Sequence, residues 1–216
     1  VITINKEFLK EEGDSGLHSN ERFTLSDILN FSLVSSSNDG TVAIAAAAGA
    51  VQKVNSKDVL ENTNFTEKMN AEAKKIGLTR AVFYNETGLD LPNGINGGYA
   101  SANDVAKLFE YTLRNHPEIF YATKLNAISV TSLDNIAHTA SNTNIGINDL
   151  PNLIGSKTGF TDIAGGNLAI IFDAGLGKPV VVVVLGSTAL GRFTDVKALA
   201  EETLRTLSSS TETPQR

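Results

Sequence analysis

The sequence predicts an α+β fold, and the order of its elements is the reason. Helical periodicity dominates the chain up to about residue 124, and runs of β-branched residues follow it. One amphipathic segment then comes after the last of these runs. Helices and strands that are grouped in this way, instead of alternating, are typical of α+β domains rather than of doubly wound parallel sheets.

Start signals and apolar faces predict the helices. Thr24 and Ser101 are N-cap residues, and Asp104 follows Ser101 at the spacing of a capping box, with Asp in place of Glu. Gly77 ends a third helix, because glycine is the usual residue just past a helix C-terminus. The predicted helices run from Thr24 to about Leu33, from about Thr41 to Val51, from Asn64 to Ile76, from Ser101 to about Asn115 and from about Phe193 to Leu207.

Alternating or β-branched runs predict the strands. The last two strands are separated by the turn-forming stretch Asp173–Lys178, so we expect them to form a hairpin. The predicted strands are Val1–Ile4, Ala127–Thr131, Leu168–Phe172 and Val180–Leu185. Residues 208–216 are polar and predict a tail or linker, which leaves one domain over residues 1–207.

Composition excludes several classes of function. Hydrophobic residues make up 41% of the 216 residues and charged residues 19%, and the net charge is −6. No cluster of lysines or arginines is present, so we expect no nucleic-acid partner. The apolar runs are shorter than the ~20 residues that a membrane-spanning helix needs. With no cysteine, the chain has no thiol nucleophile and no thiolate metal site.

The histidines offer little chemistry at the level of sequence. His18, His116 and His138 have no partners at metal-ligand spacing, so we expect them to be structural or solvated, and no metal site is predicted. A hydrolase of the Gly-x-Ser-x-Gly type is excluded because that motif is absent.

Two short motifs point to serine and lysine chemistry instead. Lys157-Thr158-Gly159 precedes a β-branched strand, and Ser36-Ser37-Asn38 lies between two predicted helices. Lys-Thr-Gly accompanies Ser-x-x-Lys and a Ser-x-Asn-like element in penicillin-binding proteins and class A β-lactamases. From spacing alone, Ser36 and Asn38 are also suited to cap the helix that follows them.

The residues around both motifs make the resemblance to penicillin-binding proteins more specific. The block 155–162 followed by Ala164-Gly165-Gly166-Asn167 closely resembles the Lys-Thr-Gly block of D-alanyl-D-alanine carboxypeptidases, and residues 33–39 resemble the Ser-x-Asn block of the same family. Further matches follow the family pattern in order: Met69-Asn70, Leu78-Thr79, Phe83, Asn85, Gly88-Leu89-Asp90, Ser101-Ala102 and Asp104. The resemblance extends from Val1 to about Leu207. It implies a helical lobe beside a mostly antiparallel sheet flanked by helices, the penicillin-binding and β-lactamase-like fold.

The resemblance also implies roles for individual residues. Ser36 would relay a proton to the departing D-alanine, Asn38 would hold the substrate amide, and Lys157 would supply a positive field. The Thr158 hydroxyl would bind the terminal carboxylate, and the backbone N–H of Phe160 would be one oxyanion-hole donor. At Gly159, the missing Cβ lets the substrate approach the strand. No metal or organic cofactor is implied.

One motif of the family is missing. No lysine in the sequence has a serine three residues before it, so Ser-x-x-Lys, which carries the nucleophile and its base, does not occur. We expect that the chain lacks the N-terminal strands and nucleophile helix of the domain and is inactive by itself. A true pseudoenzyme that only binds peptidoglycan is the alternative. A class A-like β-lactamase is a further alternative, although such enzymes usually have Ser-Asp-Asn where this chain has Ser-Ser-Asn.

The resemblance places the predicted reaction outside the cytoplasmic membrane of a bacterium. The implied partners are peptidoglycan stem peptides that end in D-Ala-D-Ala, and β-lactams. Membrane association would depend on parts of the protein that are not in this chain.

Overall fold

The computed structural model describes residues 1–13, 15–55, 65–92, 94–175 and 177–210. Its helices are α1 Leu25–Ser35, α2 Asn38–Asn55, α3 Phe65–Lys75, α4 Ala102–Asn115 and α5 Gly191–Ser210. Its strands are β1 Ile2–Thr3, β2 Arg22–Phe23, β3 Val82–Phe83, β4 Gly98–Tyr99, β5 Ala127–Thr131, β6 Ala137–Ser141, β7 Leu153–Thr161, β8 Gly165–Asp173 and β9 Pro179–Ser187. Three short 3-10 helices connect them: Phe8–Lys10, Pro117–Phe120 and Ile147–Asp149. This order confirms the predicted α+β class.

The main sheet has three antiparallel strands in the order β7-β8-β9. Its central strand is apolar on both faces, because helices cover both. On one face Leu168, Ile170 and Phe172 pack with Val196 and Ala200 of α5. On the other face Ala169 and Ile171 pack with Phe109 of α4 and with Phe120. Successive side chains of a strand point to opposite faces, so burial on both sides requires the unbroken apolar run seen in the sequence.

The helical lobe has a separate core, made mainly by α1 and the elements around it. Ile28, Phe31 and Val34 recur at helical spacing on α1 and are fully or almost fully buried. They pack with residues of α2, of the two small hairpins and of the loops beside them: Ile2, Ile4, Leu17, Phe23, Ala43, Ala122, Val130 and Ala140. This packing fixes the C-terminal end of α1 beside the main sheet.

Most local predictions are confirmed. The Thr24 hydroxyl accepts the N–H of Asp27, and Ser101 and Asp104 form a complete capping box. The hairpin after Leu168 is also present. The structure also corrects several boundaries, among them the following. Helix α2 begins at Asn38 rather than near Thr41, and α5 continues through Ser210, so the first three residues of the predicted tail are helical.

Residues 211–216 and Asn64, the predicted start of the third helix, lie outside the described residues. Within the described part of the chain, no helix combines the length and the apolar character that crossing a membrane requires.

Candidate active site

The turn between α1 and α2 carries the Ser-x-Asn motif in a constrained conformation. Ser36 ends α1 with a φ of 57°, in the left-handed region, and its N–H donates to the carbonyl of Ser32. Residues other than glycine adopt this conformation at a cost, and it is often found at functional sites.

Helix α2 is capped by the middle residue of the motif. The N–H of Gly40 donates to the Ser37 hydroxyl at 3.0 Å, and Ser37 is buried. Ser37 in turn donates to Ser15 at 2.8 Å, and Ser15 donates to the Asp39 carboxylate at 3.0 Å. The capping function that the sequence allowed for Ser36 and Asn38 therefore belongs to Ser37.

Asn38 is half-buried and is held by the loop before β2. Its side-chain amide donates to the backbone carbonyl of Glu12 at 2.7 Å. This bond uses one amide hydrogen and fixes the orientation of the side chain. An Asn side chain has two donor hydrogens and one acceptor oxygen, and among the described residues the Asn38 oxygen and second amide hydrogen make no further bond, so both can bind a ligand.

Strand β7 brings Lys157 to the same turn. The Lys157 ammonium donates to the Ser36 hydroxyl at 2.5 Å and to the carbonyl of Thr158 at 2.8 Å. Burial, and to a smaller extent the positive charge of Arg192, lower the pKa of Lys157 to about 8. Desolvation disfavours the charged form of an amine, so this ammonium is a much stronger acid than an exposed lysine.

The rest of the Lys-Thr-Gly motif continues along β7. Thr158 is buried, and its hydroxyl is 2.6 Å from that of Thr143. One of the two hydroxyl hydrogens bridges the pair, which leaves the other for an acceptor. A Cβ added at Gly159 would meet only Asn167, at 3.8 Å, so the missing side chain leaves space beside the strand. The Phe160 ring is 51% exposed at the rim.

The outer edge of β7 carries backbone donors. The N–H of Ser156 points away from β8 and donates to the Thr123 hydroxyl at 3.2 Å. The two-residue repeat of a strand turns the N–H groups of Thr158 and Phe160 to the same edge. Among the residues that the structure describes, no strand pairs with β7 on this side.

Arg192, in the first turn of α5, adds a second cation that the sequence analysis missed. Its Nη1 donates to the carbonyl of Gly159 at 2.7 Å, and its guanidinium lies 4.7 Å from the centre of the Phe193 ring. Its Nε is buried and has no hydrogen-bond partner among the described residues. Burial lowers the pKa of this guanidinium, but arginine stays charged near neutral pH.

A cavity of about 950 Å³ lies between the helical lobe and the sheet, and it is lined by residues of both motifs and by Thr143 and Arg192. Residues 85–89 and 96–100, including Glu86 and Tyr99, also line it. Asp90 fastens residues 85–89 to the end of β7, since its carboxylate accepts from the Thr161 hydroxyl at 2.9 Å and from the N–H of Ile163 at 3.2 Å.

The structure brings together the six site residues that the sequence predicted. Ser36, Asn38, Lys157, Thr158, Gly159 and Phe160 all line the cavity. Their chemical roles stay predictions. Sequence reasoning missed Arg192, Thr143 and Asp90. Asp90 could have been found, because it belongs to the stretch Gly88-Leu89-Asp90 that resembles the family. Thr143 and Arg192 lie outside all the stretches that resemble it.

The structure brings two of the three histidines together, which their positions in the sequence did not indicate. His116 pairs with Glu118 at the surface, but the rings of His18 and His138 are 5.7 Å apart, and Glu21 contacts both. His18, Glu21 and His138 do not line the cavity.

Comparison with solved structures defines the class of fold. The chain is similar to the D-alanyl-D-alanine carboxypeptidase DacD from Francisella tularensis, with a TM-score of 0.76 and 21% identity over 93% of this chain and 57% of that one. It is also similar to penicillin-binding protein D2 from Listeria monocytogenes in its ampicillin-bound form, with a TM-score of 0.67 and 28% identity over 83% of this chain and 66% of that one. The fold is therefore that of the penicillin-binding DD-peptidases.

Sequence comparison then identifies the family. The family model for D-alanyl-D-alanine carboxypeptidases matches residues 3–189, and the chain belongs to this family. The D-alanyl-D-alanine carboxypeptidase DacA from Haemophilus influenzae is 29% identical over 204 residues, which cover 91% of this chain and 47% of that protein. The chain thus spans about half the length of this relative.

Proposed function

We propose that this chain supplies the substrate-binding half of a serine D-Ala-D-Ala carboxypeptidase site. Such an enzyme removes the terminal D-alanine from a peptidoglycan stem peptide through an acyl-enzyme. The substrate is an extended peptide with a free carboxylate, so its site needs a strand edge beside a fixed positive charge.

The proximity of Lys157 and Arg192 carries the proposal. Arg192 is half-buried, and burial together with the smaller effect of the Arg192 charge lowers the pKa of Lys157. These two cations are therefore unfavourable together until an anion lies beside them. The buried Nε of Arg192 and the spare hydroxyl hydrogen of the Thr143–Thr158 pair add donors on the same side. A terminal carboxylate satisfies this arrangement through charge-assisted hydrogen bonds.

The open edge of β7 supports the same substrate. A peptide added in extended conformation pairs with backbone groups of this edge, as in β-strand addition. The space beside Gly159 allows its backbone to come close. The N–H of Phe160, on the same edge, is then suited to stabilise the oxygen of the tetrahedral intermediate.

Ser36 is suited to protonate the leaving group. Because Lys157 donates to the Ser36 oxygen, the hydroxyl hydrogen of Ser36 is directed to another acceptor. When the peptide C–N bond breaks, this hydrogen passes to the D-alanine nitrogen and a Lys157 proton replaces it. A pKa of about 8 suits Lys157 for this transfer near neutral pH. Asn38 holds the substrate amide with its remaining donor and acceptor.

The nucleophile of this reaction is not among these 216 residues, since no Ser-x-x-Lys occurs in the sequence. We propose that another part of the protein supplies it, that the reaction takes place outside the cytoplasmic membrane, and that β-lactams occupy the same cavity. The family match over residues 3–189 argues against the β-lactamase alternative.

Binding without chemistry tests the proposal. Isothermal titration calorimetry should show that an acylated peptide ending in D-Ala-D-Ala binds at least about 10-fold more tightly than its C-terminal amide, since a hydrogen bond to a charged group contributes ~1.5–3 kcal/mol. Arg192→Gln should remove most of this difference. Intact-mass measurement should show no covalent penicillin adduct on the chain alone. Equal affinity for acid and amide, or a stable adduct, would contradict the proposal.

A further inference from the structure

A second group of reactive side chains lies outside the cavity, where the loop before β2 meets β6. His138 Nε2 is 2.6 Å from one oxygen of Glu21, and His18 Nδ1 is 3.4 Å from the other. One donor atom from each residue can be chosen so that all three lie within 4.8 Å of one another. Two imidazoles and one carboxylate thus converge on one point: His18 and Glu21 are three residues apart, and His138 lies 117 residues after Glu21.

The burial of the cluster is graded from inside to outside. The side chains of Glu21 and His138 are 1% and 6% exposed, whereas that of His18 is 63% exposed. The two inner groups are therefore fixed by packing, and the third can rotate at the surface. A cation can enter from the His18 side and keep a water molecule there.

The Glu21 carboxylate is already oriented by its surroundings. The backbone N–H of His18 donates to it at 3.0 Å. Burial by itself raises the pKa of Glu21, but hydrogen bonds from His138, from the Ser132 side chain and from the His18 N–H outweigh it and leave the pKa below its ordinary value. Hydrogen bonds of this kind hold a ligating carboxylate in its ionised form and in one orientation.

The buried charge of Glu21 has no permanent counter-ion in the described part of the chain. Its only ion pairs there are to the two histidines, and Arg22 beside it pairs with Asp134 instead. A histidine side chain is a counter-ion only when it is protonated, whereas a lysine or arginine is a permanent one. A bound cation would neutralise a buried carboxylate, whose isolation is costly.

We propose that His18, Glu21 and His138 form a binding site for Zn²⁺. Two His and one Glu with an open fourth position is a recurrent zinc donor set, with bonds of ~2.0–2.2 Å. Tetrahedral ligands at such distances are about 3.3 Å apart, close to the 3.4 Å between His18 and Glu21. The cation replaces the proton that lies between His138 Nε2 and Glu21 Oε1. The distance between these two atoms, now 2.6 Å, then increases by less than about 1 Å. The metal would join the segment before β2 to the β5–β6 hairpin.

Calorimetry with zinc chloride tests this site on protein purified without a polyhistidine tag, in a buffer that does not chelate metals. One Zn²⁺ should bind per chain. His18→Ala should weaken Zn²⁺ binding at least about 100-fold. Even residues that only hydrogen-bond to the ligands of a metal site contribute about 10–100-fold to metal affinity, and His18 is proposed to be a ligand itself. His116→Ala is the matched control, since His116 is also exposed and lies apart, and it should bind as the wild type does. Mg²⁺, which prefers oxygen ligands, should not bind to the site.

Two further readouts do not depend on the variant's folding. Zinc should raise the Tm of the wild type, as a ligand of the native state does. X-ray absorption at the zinc edge should show two imidazole ligands. The proposal is overturned if the wild type shows no saturable binding below about 100 µM Zn²⁺, if His18→Ala binds equally well, or if the bound zinc has only oxygen neighbours. In those cases the cluster is a hydrogen-bonded link between the two segments.

Discussion

The low pKa of Lys157 makes a quantitative prediction for the proposed carboxylate site. With a pKa of about 8, the protonated fraction of Lys157 in the free protein falls from about nine-tenths at pH 7 to about one-tenth at pH 9. A bound carboxylate favours the ammonium and raises this pKa. The affinity for a peptide ending in D-Ala-D-Ala should therefore fall about tenfold between pH 7 and pH 9, because above pH 8 binding must also protonate Lys157.

The assay is calorimetry of that peptide at pH 7, 8 and 9, each in two buffers of different ionisation enthalpy. Binding should take up about 0.1 proton per peptide at pH 7 and about 0.9 at pH 9, because these are the fractions of free protein in which Lys157 is unprotonated. Lys157→Met should bind more weakly at pH 7, by ~1.5–3 kcal/mol, the usual contribution of a hydrogen bond to a charged group. It should also lose the proton uptake.

The matched control is Lys178→Met, since Lys178 is exposed in the β8–β9 turn, at the far end of the sheet from the cavity. It should keep both the affinity and the pH dependence of the wild type. An affinity that does not change from pH 7 to pH 9, or the same slope in Lys157→Met, would show that the Lys157 charge does not take part in binding.

Two pairs of variants separate binding from folding. Ser36→Gly should weaken peptide binding, because Lys157 loses its 2.5 Å acceptor, while the relief of a positive φ leaves the free energy of unfolding unchanged or higher by ~1 kcal/mol. Ser37→Ala should lower the free energy of unfolding by about 1 kcal/mol, because α2 loses its cap, and should leave peptide binding intact. Denaturant titration measures the first quantity and calorimetry the second. Weaker peptide binding with unchanged stability in Ser37→Ala would assign the site to Ser37. Gly155→Ala should lower the Tm, because its Cβ would come within 2.5 Å of Phe120. Gly159→Ala should fold normally and bind the peptide poorly, and normal binding by this variant would mean that the substrate does not approach this edge of β7.

Local hydrogen bonding explains why many elements were predictable from the sequence. The Thr24 cap and the Ser101–Asp104 capping box involve residues three apart, so the sequence contains both partners of each bond. The apolar runs of β8 and β9, with the turn-forming stretch between them, likewise predicted a hairpin, and the structure has it. The start of α2 was misplaced because Asn38 and Asp39 are polar, although Ser37 already caps the helix there.

By itself, the sequence determined the class of fold and the two motifs, since helix caps, strand patterns and motif residues are properties of neighbouring positions. Only the tertiary structure decided which distant groups meet. Ser36 and Lys157 are 121 residues apart and are joined because the tertiary fold places the turn after α1 next to β7. Arg192 reaches Gly159 from a helix that packs on the sheet, and His138 reaches Glu21 from another strand. Such contacts depend on how buried faces fit together, and no local pattern specifies them.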